Sequence, residues 1–150
     1  MSEHKVQVGW KRDSEDFKYE TYTRNHSWTF VDKGTTITAS AAPGFLGDAA
    51  HVDPEEALVA SLSSCHMLTF LAVAAKKRFV VDAYEDDAVG FLGKNENGKL
   101  AITRVELRPR ISFAGDPQPT PDQIEQLHHI AHQECFIANS VRTEVTVKSP

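Results

Sequence analysis

Cysteine is scarce in this sequence: there are two, Cys65 and Cys135. That excludes the disulfide scaffold of a small secreted domain, and in a reducing compartment any bond between these two is transient and chemical. Positive charge is scarce as well. Lys and Arg total 16 against 21 Asp and Glu, a formal charge of −5, and no basic cluster is longer than Lys76-Lys77-Arg78. A phosphate-tracking surface is thereby excluded, so neither nucleic acid nor an anionic membrane is expected as a partner. Long apolar runs are missing too. The longest, Met67 to Ala75, is interrupted by Thr69 and falls well below the ~20 residues that span a bilayer. Met1-Ser2-Glu3-His4-Lys5 lacks a basic segment followed by an apolar one, so no signal peptide is expected. These absences together predict a soluble, cytoplasmic protein.

What is present fits one globular domain over residues 1–150, with 41% hydrophobic and 25% charged residues. The first forty residues alternate as strands do: Val6, Val8 and Trp10, then Phe17, Tyr19 and Thr21, then Trp28 and Phe30 before the turn Asp32-Lys33-Gly34, then Ile37 and Ala39. Asp53-Pro54-Glu55-Glu56 is a helix start, with Asp as N-cap, Pro at the first helical position and Glu placed to reach back. The helix that follows, from Ala57 to Lys77, is apolar or small nearly all round, as in a helix buried inside a protein or between subunits.

Strand-like runs occupy Phe79 to Tyr84 and Val89 to Leu92, and Asn97-Gly98 signals a hairpin. Beyond Leu100 the alternation changes phase, which predicts a bulge near Thr103 before a run through Val105, Leu107, Ile111 and Phe113. Thr120-Pro121-Asp122-Gln123 opens a second helix with Ile124, Leu127, Ala131 and Cys135 on one face, and a strand from Val141 to Val147 follows. The expected class is α+β, antiparallel strands with two main helices.

Cys65 falls on the helical stripe Leu58, Leu62, Cys65, Leu68/Thr69 and Ala72. The plainest reading of both cysteines is as small buried hydrophobes, because reactivity needs an electropositive, partly accessible setting. In favour of chemistry, each lies where a packed helix can aim it at the other. His128, His132 and Cys135 have the spacing of a conceivable zinc site. His66 points about 100° away from Cys65 around a helix and cannot serve as its base. Glu55 and Glu56 fit capping, and Arg12 and Arg24 fit a solvated strand face, although Arg24 begins an aromatic run ending at Trp28.

The segment from Asp53-Pro54-Glu55 to Cys65, combined with the late Cys135, resembles the helix motif of the OsmC/Ohr proteins. The resemblance implies a thiol peroxidase acting on organic hydroperoxides, built as an intertwined homodimer and recycled by an external dithiol such as a lipoyl protein or small thiol, with no cofactor and no metal. It implies Cys65 as the peroxidatic cysteine, Cys135 as the resolving one and Glu55 as the acidic partner. It implies Arg24 as the arginine, with Arg12 as the fallback. His66 and Phe136 stand where the family often has Phe and Pro, marking a distinct branch. On a straight helix Glu55 and Cys65 lie ~15 Å apart along the axis and ~80° apart around it. Either the helix kinks near Ser61-Ser63-Ser64, or Glu55 of one subunit approaches Cys65 of another. The alternative from a different class is a non-enzymatic protein that binds a lipid-like ligand in an apolar dimer crevice.

Overall fold

Residues 1–148 are described by a computed structural model, in which contacts cluster into two compact units, Met1–Ala57 and Leu58–Pro150. In the first unit, strands β1 (Val6–Gly9), β2 (His26–Phe30) and β3 (Thr35–Ala39) form an antiparallel sheet in that order, with Val8 opposite Trp28 and Trp28 opposite Ile37. Gly34, at φ 65°, closes the turn between β2 and β3, a conformation that glycine adopts without a Cβ penalty.

The Phe17-Tyr19-Thr21 run is not a strand. The backbone here turns instead: the Thr21 and Tyr22 N–H groups donate to the Lys18 carbonyl, Arg24 donates to the Tyr19 and Tyr22 carbonyls, and Arg12 donates to those of Ser14 and Glu15 ahead of the run. The Trp10 indole donates to the Thr23 carbonyl at 2.8 Å, and Trp10, Phe17 and Tyr22 pack their rings together. Carbonyls held this way cannot join a ladder, so alternation alone overcounted the strands.

Helix α1 (Pro54–Lys76) starts with a reciprocal cap, since the Glu56 N–H donates to Asp53 Oδ1 at 2.8 Å and the Asp53 N–H donates to Glu56 Oε2 at 3.2 Å. It is one continuous helix through Ser61, Ser63 and Ser64. It ends in a Schellman motif: the Phe79 N–H reaches the Ala74 carbonyl and the Arg78 N–H reaches that of Ala75, with Arg78 left-handed at φ 64°. By length and composition α1 could cross a membrane, a property hidden from a count of uninterrupted apolar residues because Ser61, Ser63, Ser64, His66 and Thr69 punctuate it.

In the second unit β4 (Val80–Asp86) pairs antiparallel with β7 (Pro109–Ala114), while β5 (Val89–Lys94), β6 (Leu100–Leu107) and β8 (Glu144–Val147) form a separate sheet. Thr103 is the extra residue in β6, where Phe91 faces Arg104 but Leu92 faces Ile102, so the phase change is a bulge. The run read as continuous from Val105 to Phe113 breaks at Arg108 and divides between the two sheets, Pro109 being unable to donate onward. Strand β8 joins β6 in parallel and is shorter than the alternation from Val141 suggests. Gly90 in β5 is required by packing, because a Cβ there would lie 2.4 Å from Val59 Cγ2 on α1.

Helix α2 (Pro121–Glu134) opens with the Thr120/Gln123 capping box. Leu127 and Ala131 of α2 pack with Phe70 and Ala74 of α1 and with Phe79 in one apolar cluster; Leu62 joins Val105 and Leu107 in another. The face that α1 buries is therefore Leu62, His66, Phe70 and Ala74. Leu68 and Ala72, which the sequence stripe turned inward, are exposed, because a helix apolar on all sides carries no period to choose its face.

Candidate redox site

The two cysteines come together in the second unit. Cys65 lies one position before His66, beside the buried stripe of α1, and keeps partial exposure. Cys135 is the residue at which α2 ends, its backbone extended at φ −71° and ψ 114°, and is 1% exposed. Both are free thiols, and Cys65 is near enough to Cys135 to act on its ionisation. Burial pushes the Cys135 thiol up from its ordinary value, and Cys65 pushes it further; the Ala138 N–H, donating to Cys135 Sγ at 3.4 Å, acts the other way. Cys135 is thus held as a protonated thiol behind a more accessible Cys65. Chemically, one sulfur of the pair is partly exposed to a small oxidant and the neighbouring one is shielded from it.

Glu55 and the arginines are not joined to each other among the described residues. Glu55, in the first turn of α1, has Oε2 buried with no hydrogen-bond partner. Arg24 lies just ahead of β2 rather than on it. Its guanidinium donates to two carbonyls at 2.6 Å and stacks 3.8 Å from the Tyr22 ring centroid and 4.9 Å from that of Tyr19. Arg12 is likewise spent on its own loop.

Two histidines that spacing did not single out as a pair form the most buried polar contact near the thiols. His66, 1% exposed, meets His128 with Nε2 3.0 Å from Nδ1, the ring centroids 5.3 Å apart and the ring planes within 14° of each other. Phe70 packs against the His128 ring at 4.6 Å. Burial brings both imidazoles down to about 4 and so keeps them neutral; His132 and His128 add to the effect on His66, while Asp86 opposes it on His128. His66 Nδ1 is buried without a partner. The available signal was His66 at helical spacing between Leu62 and Phe70. His128 is engaged here, and the described residues hold no group of three or more His, Cys, Asp or Glu placed to bind a metal. A cavity of about 460 Å³ lies beside α2, walled by Ile111, Phe113, Ile124 and Val147 and including His128; neither cysteine lines it.

No curated protein sequence matches the chain. Among solved structures, an OsmC-like protein of unknown function from Vibrio cholerae is 54% identical over 100% of both chains, with a TM-score of 0.95. An organic hydroperoxide resistance protein from Elizabethkingia anophelis is 19% identical with a TM-score of 0.74, covering 100% of this chain and 98% of that one. The organic hydroperoxide resistance protein OhrB of Bacillus subtilis is 18% identical with a TM-score of 0.71, covering 99% and 98%. The last two share the α+β fold. The family described as OsmC-like protein matches residues 47–149, and the chain belongs to that family.

Proposed function

We propose that the protein is a cysteine-based peroxidase that reduces organic hydroperoxides, with hydrogen peroxide as a further substrate. The observation that carries this reading is a partly accessible Cys65 neighbouring a buried Cys135 whose thiol is pushed up from its ordinary value. Family membership and the names of the Elizabethkingia and Bacillus proteins support the substrate class. The juxtaposed thiols favour a redox protein over a binding protein, which has no use for them.

In the first step the Cys65 thiolate attacks the distal peroxide oxygen. The O–O bond breaks, the leaving alkoxide takes a proton to become an alcohol, and Cys65 becomes a sulfenic acid. The Cys135 sulfur then attacks the Cys65 sulfur, forming a disulfide and releasing the hydroxyl with the Cys135 proton as water. An external dithiol, a lipoyl protein or small thiol, reduces the disulfide by exchange and is itself oxidised to its disulfide. No cofactor takes part in these steps.

Arg24, with Arg12 as the fallback, supplies the guanidinium that favours the Cys65 thiolate once it leaves the carbonyls of its own loop, and Glu55 holds its planar fork. In support, the buried Glu55 Oε2 lacks the donor that a carboxylate oxygen requires. Along the unbroken α1, Glu55 and Cys65 remain ~15 Å apart, so Glu55 of one copy serves Cys65 of a second. A homodimer covers α1, an apolar helix that is mostly unburied within one chain and leaves Leu68 60% exposed. The enzyme works in the cytoplasm, where reduced dithiols are at hand.

Hydroperoxide consumption with each cysteine replaced tests the assignment. Cys65→Ser abolishes turnover, and Cys135→Ser permits one oxidation before stalling or over-oxidation. Multiple turnover by Cys65→Ser overturns it.

A further inference from the structure

The His66–His128 pair has no part in the steps above, and stability does not account for it. Replacing both members of a buried hydrogen bond by apolar groups of similar shape is nearly neutral or stabilising. His66 is the polar member of the buried stripe Leu62, His66, Phe70 and Ala74, and its Nδ1 remains without a partner. A Phe at this position would fill the stripe at no such cost. What the pair does provide is a directional contact between the two helices that bear the cysteines. His66 follows Cys65 on α1, and His128 precedes Cys135 by seven residues, two turns, on α2.

We propose that the His66–His128 hydrogen bond is a positioning lock that fixes α2 against α1 so that Cys135 stays within bonding reach of Cys65. The apolar contacts of Leu127 and Ala131 with Phe70 and Ala74 hold the helices together, but they are non-directional and tolerate sliding or rotation. The hydrogen bond, made with the two ring planes only 14° apart, is directional and favours one azimuth and one height. Both matter because a disulfide forms only when the Cα atoms approach within about 7 Å and the Cβ vectors face each other. Cys135 is sensitive to such a shift because it stands where α2 ends, with no further helical turn to hold it. His66 and His128 are positioning residues; neither touches the reacting sulfurs.

The lock rests on the peroxidase reading only for its biological use, so it is tested without peroxide. The effective concentration of Cys135 towards Cys65 is measured from the equilibrium of the purified protein with reduced and oxidised glutathione, and closure of the disulfide is followed by stopped flow. His66→Phe with His128→Leu, which leaves no orphaned partner, lowers the effective concentration about tenfold. His66→Gln, whose side-chain amide reaches the position of the imidazole Nε2, retains at least half the wild-type value. With hydroperoxide, the double variant loses Cys65 thiolate at the wild-type rate but accumulates sulfinic acid, because closure is late. An unchanged effective concentration in the folded double variant overturns the lock, and so does an equal loss in His66→Gln. Failure of the wild type to consume hydroperoxide overturns the peroxidase reading and leaves the glutathione result standing.

Discussion

Lowering the pH should weaken the protein through two buried histidines before any depressed carboxylate is reached. An unfolded histidine titrates near 6.5, whereas burial brings His66 and His128 down to about 4. Between those values the unfolded chain binds protons that the folded chain refuses, so stability falls as pH falls through 6.5 towards 4. Each pH unit in that window is worth about 1.36 kcal/mol for a fully refused proton. His66, being 1% exposed, contributes close to the full effect, roughly 2 kcal/mol between pH 7.5 and 5. His128 adds less because it is partly exposed, Asp86 opposes its shift, and the pair shares one hydrogen bond. The groups facing the pair from α2 and β4, His132 and Asp86, are kept in every variant. Thermal unfolding by circular dichroism at fixed protein concentration should show Tm falling by roughly 4–8 °C between pH 7.5 and 5. Most of that fall should vanish in His66→Phe with His128→Leu. Asp48, Asp87 and Glu106, held below the usual carboxylate range by hydrogen bonds to Ala50, Arg110 and Arg108, lose their contributions only below about pH 4.5. A double variant with the same fall in Tm as the wild type would refute the linkage.

Other outcomes follow from single positions. Leu68→Asp puts a charge on the exposed apolar face of α1 and should shift the light-scattering mass at micromolar concentration from two chains to one; an unchanged dimer removes that face from the interface. Arg78→Gly relieves a left-handed arginine at the end of α1 and should raise stability by about 0.5 kcal/mol after the lost dipole interaction and the greater freedom of the unfolded chain are deducted. A lower Tm contradicts the strain assigned to that residue.

The parts of the fold that were legible in the sequence are those specified by local chemistry. Asp53-Pro54 with Glu56 and Thr120-Pro121 with Gln123 each satisfy orphaned N–H groups at a helix start, so their signals do not depend on distant contacts. The bulge at Thr103 was visible because one inserted residue inverts the alternation on both sides. The division of the Val105–Phe113 run between two sheets depends on pairing partners far along the chain, and no local pattern encodes it. Residues 10–25 read as strand because their aromatic alternation is real; it serves a side-chain cluster over a backbone that Arg12 and Arg24 hold folded. In the candidate site, the two helices allowed Cys65 and Cys135 to be aimed at each other, but sequence could not fix how near they come. The His66–His128 contact was not expected, because each histidine was weighed only against residues on its own helix.

The central claim is that Cys65 and Cys135 act as one redox unit, and intact mass after one equivalent of an organic hydroperoxide tests it most directly. The account predicts the loss of two hydrogens from the wild type, reversed by a dithiol, and no such loss in either Cys65→Ser or Cys135→Ser. An unchanged mass with both thiols still titratable would contradict it.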